Sequence, residues 1–344
     1  MEPSAGTCWA GRGNRYGFEY AGADTAIAIN RLLKRGAAVT FDAPSHVTVT
    51  GVGRGFIDAL ARELGLKVAA TDADAEIRDA LRASNGPSGG PLLVRAPRVG
   101  LYAPWSGGNI DEGWTRWVLE QYEFSVVTLH NEDIRAGDLK QKVDAIILPD
   151  QSPRDILDGF TAATVRPEYR GGLGDEGMDK LQRFLAAGGT LVTLGAASDL
   201  VIDRLLVTVR DVKRGLRREQ HSAPGSILNI EVDTTHPLGY GMAAQTYGFY
   251  NNSPFFGVLE GATAQKATVV VRYPPRSVVA SGWLRGEELM AGRAAVVSVD
   301  MNPGRVVLFG LRPQHRAQTH ATFPLLFNAL YLSAADSGTP RLTQ

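Results

Sequence analysis

Between residues 98 and 198 short apolar runs alternate with amphipathic helical stretches, and no other feature of the chain restricts the fold as much. The runs at 98–103, 124–129, 144–148 and 190–194 are apolar on both faces, so each must be covered twice. Between them the apolar positions recur at helical spacing. Trp114, Trp117, Val118 and Tyr122 follow a turn opening at Asp111, and Met178, Leu181, Phe184 and Leu185 follow an Asp175 cap and end at Gly188-Gly189. Alternation of this kind predicts a parallel sheet with helices on both sides, and it places Trp114 and Trp117 in the core.

The flanking regions read differently. A helix from an Asp24 cap through Ile27, Leu32 and Leu33 stops at Gly36, and a second carries Phe56, Ala59, Leu60 and Leu64 up to Gly65. Strands at 38–41, 46–50 and 66–70 complete a small N-terminal α/β domain over 1–95, closed by the turn-rich linker at 84–91. The main domain then covers 96–335, with a tail at 336–344. From about 207 to 300 the helical period fades into runs at 227–232, 267–272, 278–282 and 294–299, expected to pair antiparallel as a β-rich insertion. A last run at 305–309 feeds Gly310-Leu311-Arg312-Pro313 and a final helix expected from about Gln318 to Ser333.

Composition removes several classes of function. Lys and Arg total 36 against 36 Asp and Glu, so bulk charge provides no hold on nucleic acid or an anionic membrane. The single cysteine, Cys8, rules out an internal disulfide framework and a multi-thiolate metal site. No apolar run approaches the roughly 18 residues of a membrane span, and Met1-Glu2-Pro3-Ser4 does not open a secretory signal.

In an open parallel sheet, ligands meet the chain beyond the carboxyl ends of the strands. There the sequence supplies Trp105, Ser106, Asn109, Asp111, Glu112 and Trp114 after the first run, and Asp150 and Ser152 after the third. Ser198 and Asp199 follow the fourth, and Arg312, His315, Arg316 and His320 follow the last. The ligand-binding set expected from this convergence is Trp105, Glu112, Asp150, Ser198, Arg312 and His315, with Trp105 as the stacking ring. Helix caps and structural ion pairs use the same residue types.

Catalytic chemistry has less behind it. The turn after the fourth strand is where a nucleophile elbow would stand, and its residue is Ala197. Ser198 with His315 or His320 is the catalytic alternative, though G-x-S-x-G is absent. A metal recruited by Asp111, Glu112 and His315 is another. The six histidines form no His-x-x-Glu or His-x-x-x-His pair, and His130-x-x-Asp133 alone is a poor metal signal. The glycines at 171, 172 and 174 precede a helix and could cradle a phosphate, but they follow no strand directly. No metal or other cofactor is expected.

Several segments resemble a known family. They include Gly-Leu-Tyr-Ala-Pro-Trp (100–105), Asp-Glu-Gly-Trp-Thr-Arg-Trp-Val-Leu-Glu (111–120) and Asp-Ala-Ile-Ile-Leu-Pro-Asp (144–150). Further matches are Tyr-Arg-Gly-Gly-Leu-Gly (169–174), Ala-Gly-Gly-Thr-Leu-Val-Thr-Leu-Gly (187–195), the stretch 318–330, and Asn-Arg-Leu-Leu-Lys (30–34). Over most of 24–333 the chain is similar to the C-terminal region of large bacterial zinc carboxypeptidases. That resemblance implies a class I glutamine amidotransferase-like, flavodoxin-like doubly wound sheet, and an exported location if the chain is a piece of a secreted parent. Two departures limit what it carries. The peptidase domain with its His-x-x-Glu motif is missing, and Ala197 stands where amidotransferases place the cysteine that glutaminase chemistry requires. The expected role is therefore a non-catalytic accessory or ligand-binding module. Its partners would be a peptide, amino acid or carbohydrate ligand and a peptidase-bearing protein; self-association as a purely structural module is the remaining alternative.

Overall fold

Five strands form the centre of the molecule: β1 (Val99–Tyr102), β2 (Val126–Leu129), β3 (Ala145–Leu148), β4 (Thr190–Leu194) and β5 (Arg305–Phe309). The computed structural model describes residues 8–9, 14–43, 45–71, 91–107, 109–259 and 265–336. Every residue of β1, β3 and β4 is buried, as strands covered on both faces require. Their lateral order is β2-β1-β3-β4-β5 and each neighbouring pair is parallel. This is the flavodoxin-like order, with its direction of winding reversing between β1 and β3. The principal helices that link them are α1 (Asn109–Gln121), α2 (Asn131–Ala136), α3 (Pro153–Asp158), α4 (Gly174–Ala186), α5 (Ala197–Arg204) and, after β5, α6 (Phe323–Ser333).

Past β5 the same sheet continues antiparallel. Ala294–Asp300 pairs with β5, Lys266–Arg272 with Ala294–Asp300, Pro224–Val232 with Lys266–Arg272, and Gln245–Asn251 takes the outer edge. The expected antiparallel pairing is present, as an extension of the central sheet. Burial alternates along Pro224–Val232, which leaves one face of this ladder toward solvent. The strands Val209–Asp211, Gln245–Asn251 and Phe256–Val258 were not among the sequence expectations.

A second sheet of seven strands holds the N-terminal part, with helices Thr25–Lys34 and Arg54–Leu64. Its last strand is Ala335–Asp336, which pairs with Leu92–Val94. The linker expected at 84–91 lies outside the described residues except for Pro91.

Three expectations are corrected. Trp114 and Trp117 are 36% and 46% exposed, while Val118 and Leu119 are fully buried, so α1 turns its indoles outward. The final helix begins at Phe323, after two short 3-10 turns at His315–Ala317 and His320–Thr322. Pro324 explains this: a proline fits the first turn of a helix, where its missing N–H costs nothing, and not the interior. Asp175 does not cap α4, which opens at Gly174 behind Leu173.

Candidate functional site

The crevice at the winding reversal is bounded by the chain leaving β1 and β3, and there the structure gathers Asp111, Asp150, Arg312 and Gln314. Asp111 sits in the first turn of α1 and Asp150 in the loop after β3; Arg312 and Gln314 lie in the loop after β5. Arg312 bridges the two carboxylates, with Nη1 3.4 Å from Asp111 Oδ1 and Nη2 donating to Asp150 Oδ2. Gln314 Nε2 donates to Asp111 Oδ1 at 3.2 Å and to Thr115 Oγ1 at 2.8 Å. Main-chain donors complete the cluster: Asp150 N–H reaches Asp111 Oδ2 at 2.9 Å, and Ala196 N–H reaches Asp150 Oδ1 at 2.8 Å.

Gly195 makes the last of these bonds possible. It follows β4 in the left-handed region at φ +55°, and any Cβ there would strike the Asp150 carboxylate. Burial raises the Asp111 carboxyl pKa, with Arg312 and Gln314 pulling it back. Burial likewise lowers that of the Arg312 guanidinium, against the pull of Asp111 and with the push of Arg316. Among the described residues, Arg312 Nε and Gln314 Oε1 are buried without a hydrogen-bond partner.

The other expected residues lie in separate surroundings. Ser198 is fully buried, and its hydroxyl lies 2.8 Å from Thr193 Oγ1 on β4. His315 stacks on Phe249 with ring centroids 3.7 Å apart, and burial, then Arg312 and Arg316, hold its pKa down at about 4. Among the described residues no hydrogen bond joins Ser198 to an imidazole. Ala197 at the elbow is fully buried as well. Glu112 is tied to Arg116 one helical turn on, with Nε 3.0 Å away, and Arg116 continues to Thr128. Asp199 pairs with Arg214 at 2.9 Å. Ser152 caps α3, accepting from Asp155 N–H at 3.1 Å. The side chain of Asn109 lies outside the described residues.

Trp105 sits at the mouth of β1, stacked on His130 at 3.9 Å and met edge-on by Tyr169 at 4.8 Å. His130 and Asp133 form a helix cap, His130 N–H donating to Asp133 Oδ2 at 2.9 Å, which accounts for the His-x-x-Asp spacing. Gly171 holds a left-handed φ of +78°, and Gly172 is explained by packing. Side chains at 159 and 172 would run into the backbone that crosses them, and Leu173 N–H bonds Ile156 O at 2.8 Å. Among the described residues no three His, Cys, Asp or Glu side chains come together as a metal site. Sequence reasoning passed over Gln314, Thr115 and Gly195. The first two carry no charge, and a glycine after a strand reads as an ordinary turn.

No family model matches the chain, and no curated protein matches it. Among solved structures, a cytoplasmic protein from Salmonella typhimurium is 12% identical, with 70% of this chain and 99% of that one covered at a TM-score of 0.42. A glutamine amidotransferase from Thermotoga maritima is 10% identical, covering 63% and 76% at 0.38. A β-galactosidase from Bacillus circulans is 15% identical, covering 68% of this chain and 31% of its own at 0.37.

Proposed function

We propose that this chain is a non-catalytic accessory module on an amidotransferase-like scaffold, working with a zinc carboxypeptidase-type protein and binding a peptide, amino acid or carbohydrate. The observation that carries the reading is the state of the crevice. Asp111, Asp150 and Arg312 bond to one another where a ligand would meet this fold, and a buried methyl group, that of Ala197, occupies the elbow. Glutaminase chemistry needs a thiolate there. Serine chemistry needs a base within hydrogen-bond reach, and the Ser198 hydroxyl is engaged by Thr193 instead. Asp111, Asp150, Arg312 and Gln314 then serve as a latch that holds α1, the β3 and β4 turns and the β5 loop in register.

The latch and an anion-binding Arg312 make opposite predictions for Arg312→Met. A latch leaves two buried carboxylates facing each other, so the variant should lose about 3–5 kcal/mol of stability in urea titration. A ligand anchor would leave stability unchanged and abolish binding alone. Alongside it, the purified chain incubated with glutamine should release no ammonia, and co-elution with a zinc carboxypeptidase domain on size exclusion checks the partner. Ammonia release that survives repurification would end the non-catalytic reading.

A further inference from the structure

The outer two strands of the antiparallel extension carry a second polar surface, remote in sequence from the latch. Pro224–Val232 and Gln245–Asn251 pair so that Asn229 stands opposite Tyr247 and Glu231 opposite Gln245. Directly opposed residues share a face, and strict alternation puts Leu228, Ile230 and Tyr250 on the buried side. The solvent side is a groove of about 410 Å³, walled by these four residues and by Arg276 and Ser277. That is the size of a site for a small ligand.

The wall bearing Arg276 is built to be stiff. Two prolines precede it, and Ser277 holds a left-handed φ of +55°, a conformation that non-glycine residues keep only where their surroundings impose it. Asn229 imposes it here: its Nδ2 donates to Ser277 O at 2.8 Å and its main-chain N–H to Val278 O at 2.8 Å. Arg276 is thereby presented over the sheet face beside Tyr247, whose ring is 58% exposed. Among the described residues neither Arg276 nor Glu231 takes part in an ion pair.

The strand that carries Tyr247 also has an open side. It is the last strand of the sheet, and Phe249 O accepts Arg312 N–H at 2.9 Å on the outer edge. Alternation turns the main-chain groups of Gln245 and Tyr247 the same way as those of Phe249. Among the described residues no backbone group bonds them there. The strand Gln-Thr-Tyr-Gly-Phe-Tyr-Asn has no lysine or proline, the residues that commonly close an edge to pairing.

We propose that this groove and edge bind a short extended peptide through a carboxylate. The guanidinium of Arg276 takes the carboxylate by paired hydrogen bonds, the Tyr247 ring packs against the adjoining side chain, and the edge groups of Gln245 and Tyr247 pair with the peptide main chain. Glu231 offers an acceptor to an N–H or a positive group of the same ligand. A neutral sugar would use the ring and the amides but leave both charges and the strand edge unanswered. The opposed charges and the open edge together therefore favour a peptide.

Calorimetric titration of the full chain tests this with four probes. They are acetyl-Ala-Ala-Leu as the free acid, the same peptide as its carboxamide, acetyl-Ala-Asp-Leu carboxamide, and cellotetraose. Saturable binding is expected for at least one carboxylate-bearing peptide, and which one separates a terminal from a side-chain carboxylate. Arg276→Met should weaken it roughly tenfold or more, the loss expected when a hydrogen bond to a charged group is removed, and Tyr247→Ala should weaken it about tenfold through the lost apolar contact of the ring. Both residues are exposed, so unchanged thermal melts are expected to accompany the loss. The proposal fails if neither carboxylate peptide binds, if acetyl-Ala-Ala-Leu carboxamide binds as tightly as the better of the two carboxylate peptides, if neither variant matters, or if cellotetraose alone is bound.

Discussion

Two aspartates show at the scale of single residues how partners decide whether burial prevails. Asp144, just ahead of β3, is fully buried and would have its pKa raised by burial, yet bonds from Arg95 and Arg98 outweigh this and hold its carboxyl well below the usual range. Arg95 lies 2.7 and 2.8 Å from its two oxygens, Arg98 Nη2 2.8 Å from Oδ1, and the Arg98 N–H 3.0 Å from Oδ2. Its stabilising contribution is full above the pKa of the unfolded chain and disappears as pH falls below it. Asp144→Asn should cost about 2–3 kcal/mol at neutral pH, measured by urea unfolding, because several charge-assisted bonds become neutral ones. Asp211 behaves the other way. Burial, then the nearby Asp199, raises its carboxyl pKa to about 6. Between about pH 4 and 6 the unfolded chain has released this proton while the folded one keeps it, so folding weakens as pH rises. Asp211→Asn should remove up to about 3 kcal/mol of that loss, seen as a flatter dependence of the urea midpoint on pH from 4 to 7. An unchanged slope would mean that Asp211 titrates normally in the folded protein.

At the scale of the element, α1 shows both the reach and the limit of sequence reading. Its period was legible, since Trp114, Trp117, Val118 and Tyr122 recur at helical spacing, but two faces of this helix are apolar. One carries Ile110, Trp114 and Trp117 and is exposed; the other carries Asp111, Thr115, Val118 and Leu119 and is buried. Polarity ordinarily turns outward, so a reading by hydrophobicity places Val118 and Tyr122 correctly but turns the two indoles inward with them. What decides it is the latch, because Asp111 and Thr115 must face inward to meet Arg312 and Gln314. That requirement involves residues some 200 positions away and has no local signature. Trp117→Ser should accordingly change stability by no more than about 0.5 kcal/mol, whereas Val118→Ala should cost about 2 kcal/mol. A loss on Trp117→Ser as large as the Val118 one would place the indole in a contact absent from this fold. The same logic covers the rest of the chain. The both-faced apolar strands announced the parallel sheet, whereas Gln245–Asn251, with Gly248 and polar ends, carries too little hydrophobicity to stand out. Of the candidate site, the charged members at the strand ends were legible. That they satisfy one another was not, because pairing is a property of loops brought together from four strand ends.

At the scale of the whole molecule, α6 decides how many units the chain unfolds as. Phe323 to Tyr331 are all buried, and a helix apolar all round must be covered on every side. The central sheet covers one side, and the N-terminal part covers another. Tyr331 packs against Phe124 at 5.3 Å and Phe41 at 5.8 Å, and its hydroxyl lies 3.1 Å from Asn30 Oδ1. Tyr20 OH donates to Asn328 Oδ1 at 2.7 Å, and Asn328 Nδ2 holds Leu238 O at 2.9 Å and Tyr240 O at 2.8 Å, so one amide joins the N-terminal part to the loop after Pro224–Val232. The strand Ala335–Asp336 then closes the N-terminal sheet from the opposite end of the chain. These contacts merge the two parts into one apolar cluster, so neither can melt without exposing the core of the other. The full chain should therefore show one calorimetric transition, its van't Hoff and measured enthalpies agreeing. Residues 96–344 expressed alone should bind ANS and lose near-ultraviolet dichroism, since the uncovered aromatic side of α6 would face water. A shortened chain that melts sharply at the temperature of the full one would show instead that the N-terminal sheet is a passenger, and that the central sheet covers α6 by itself.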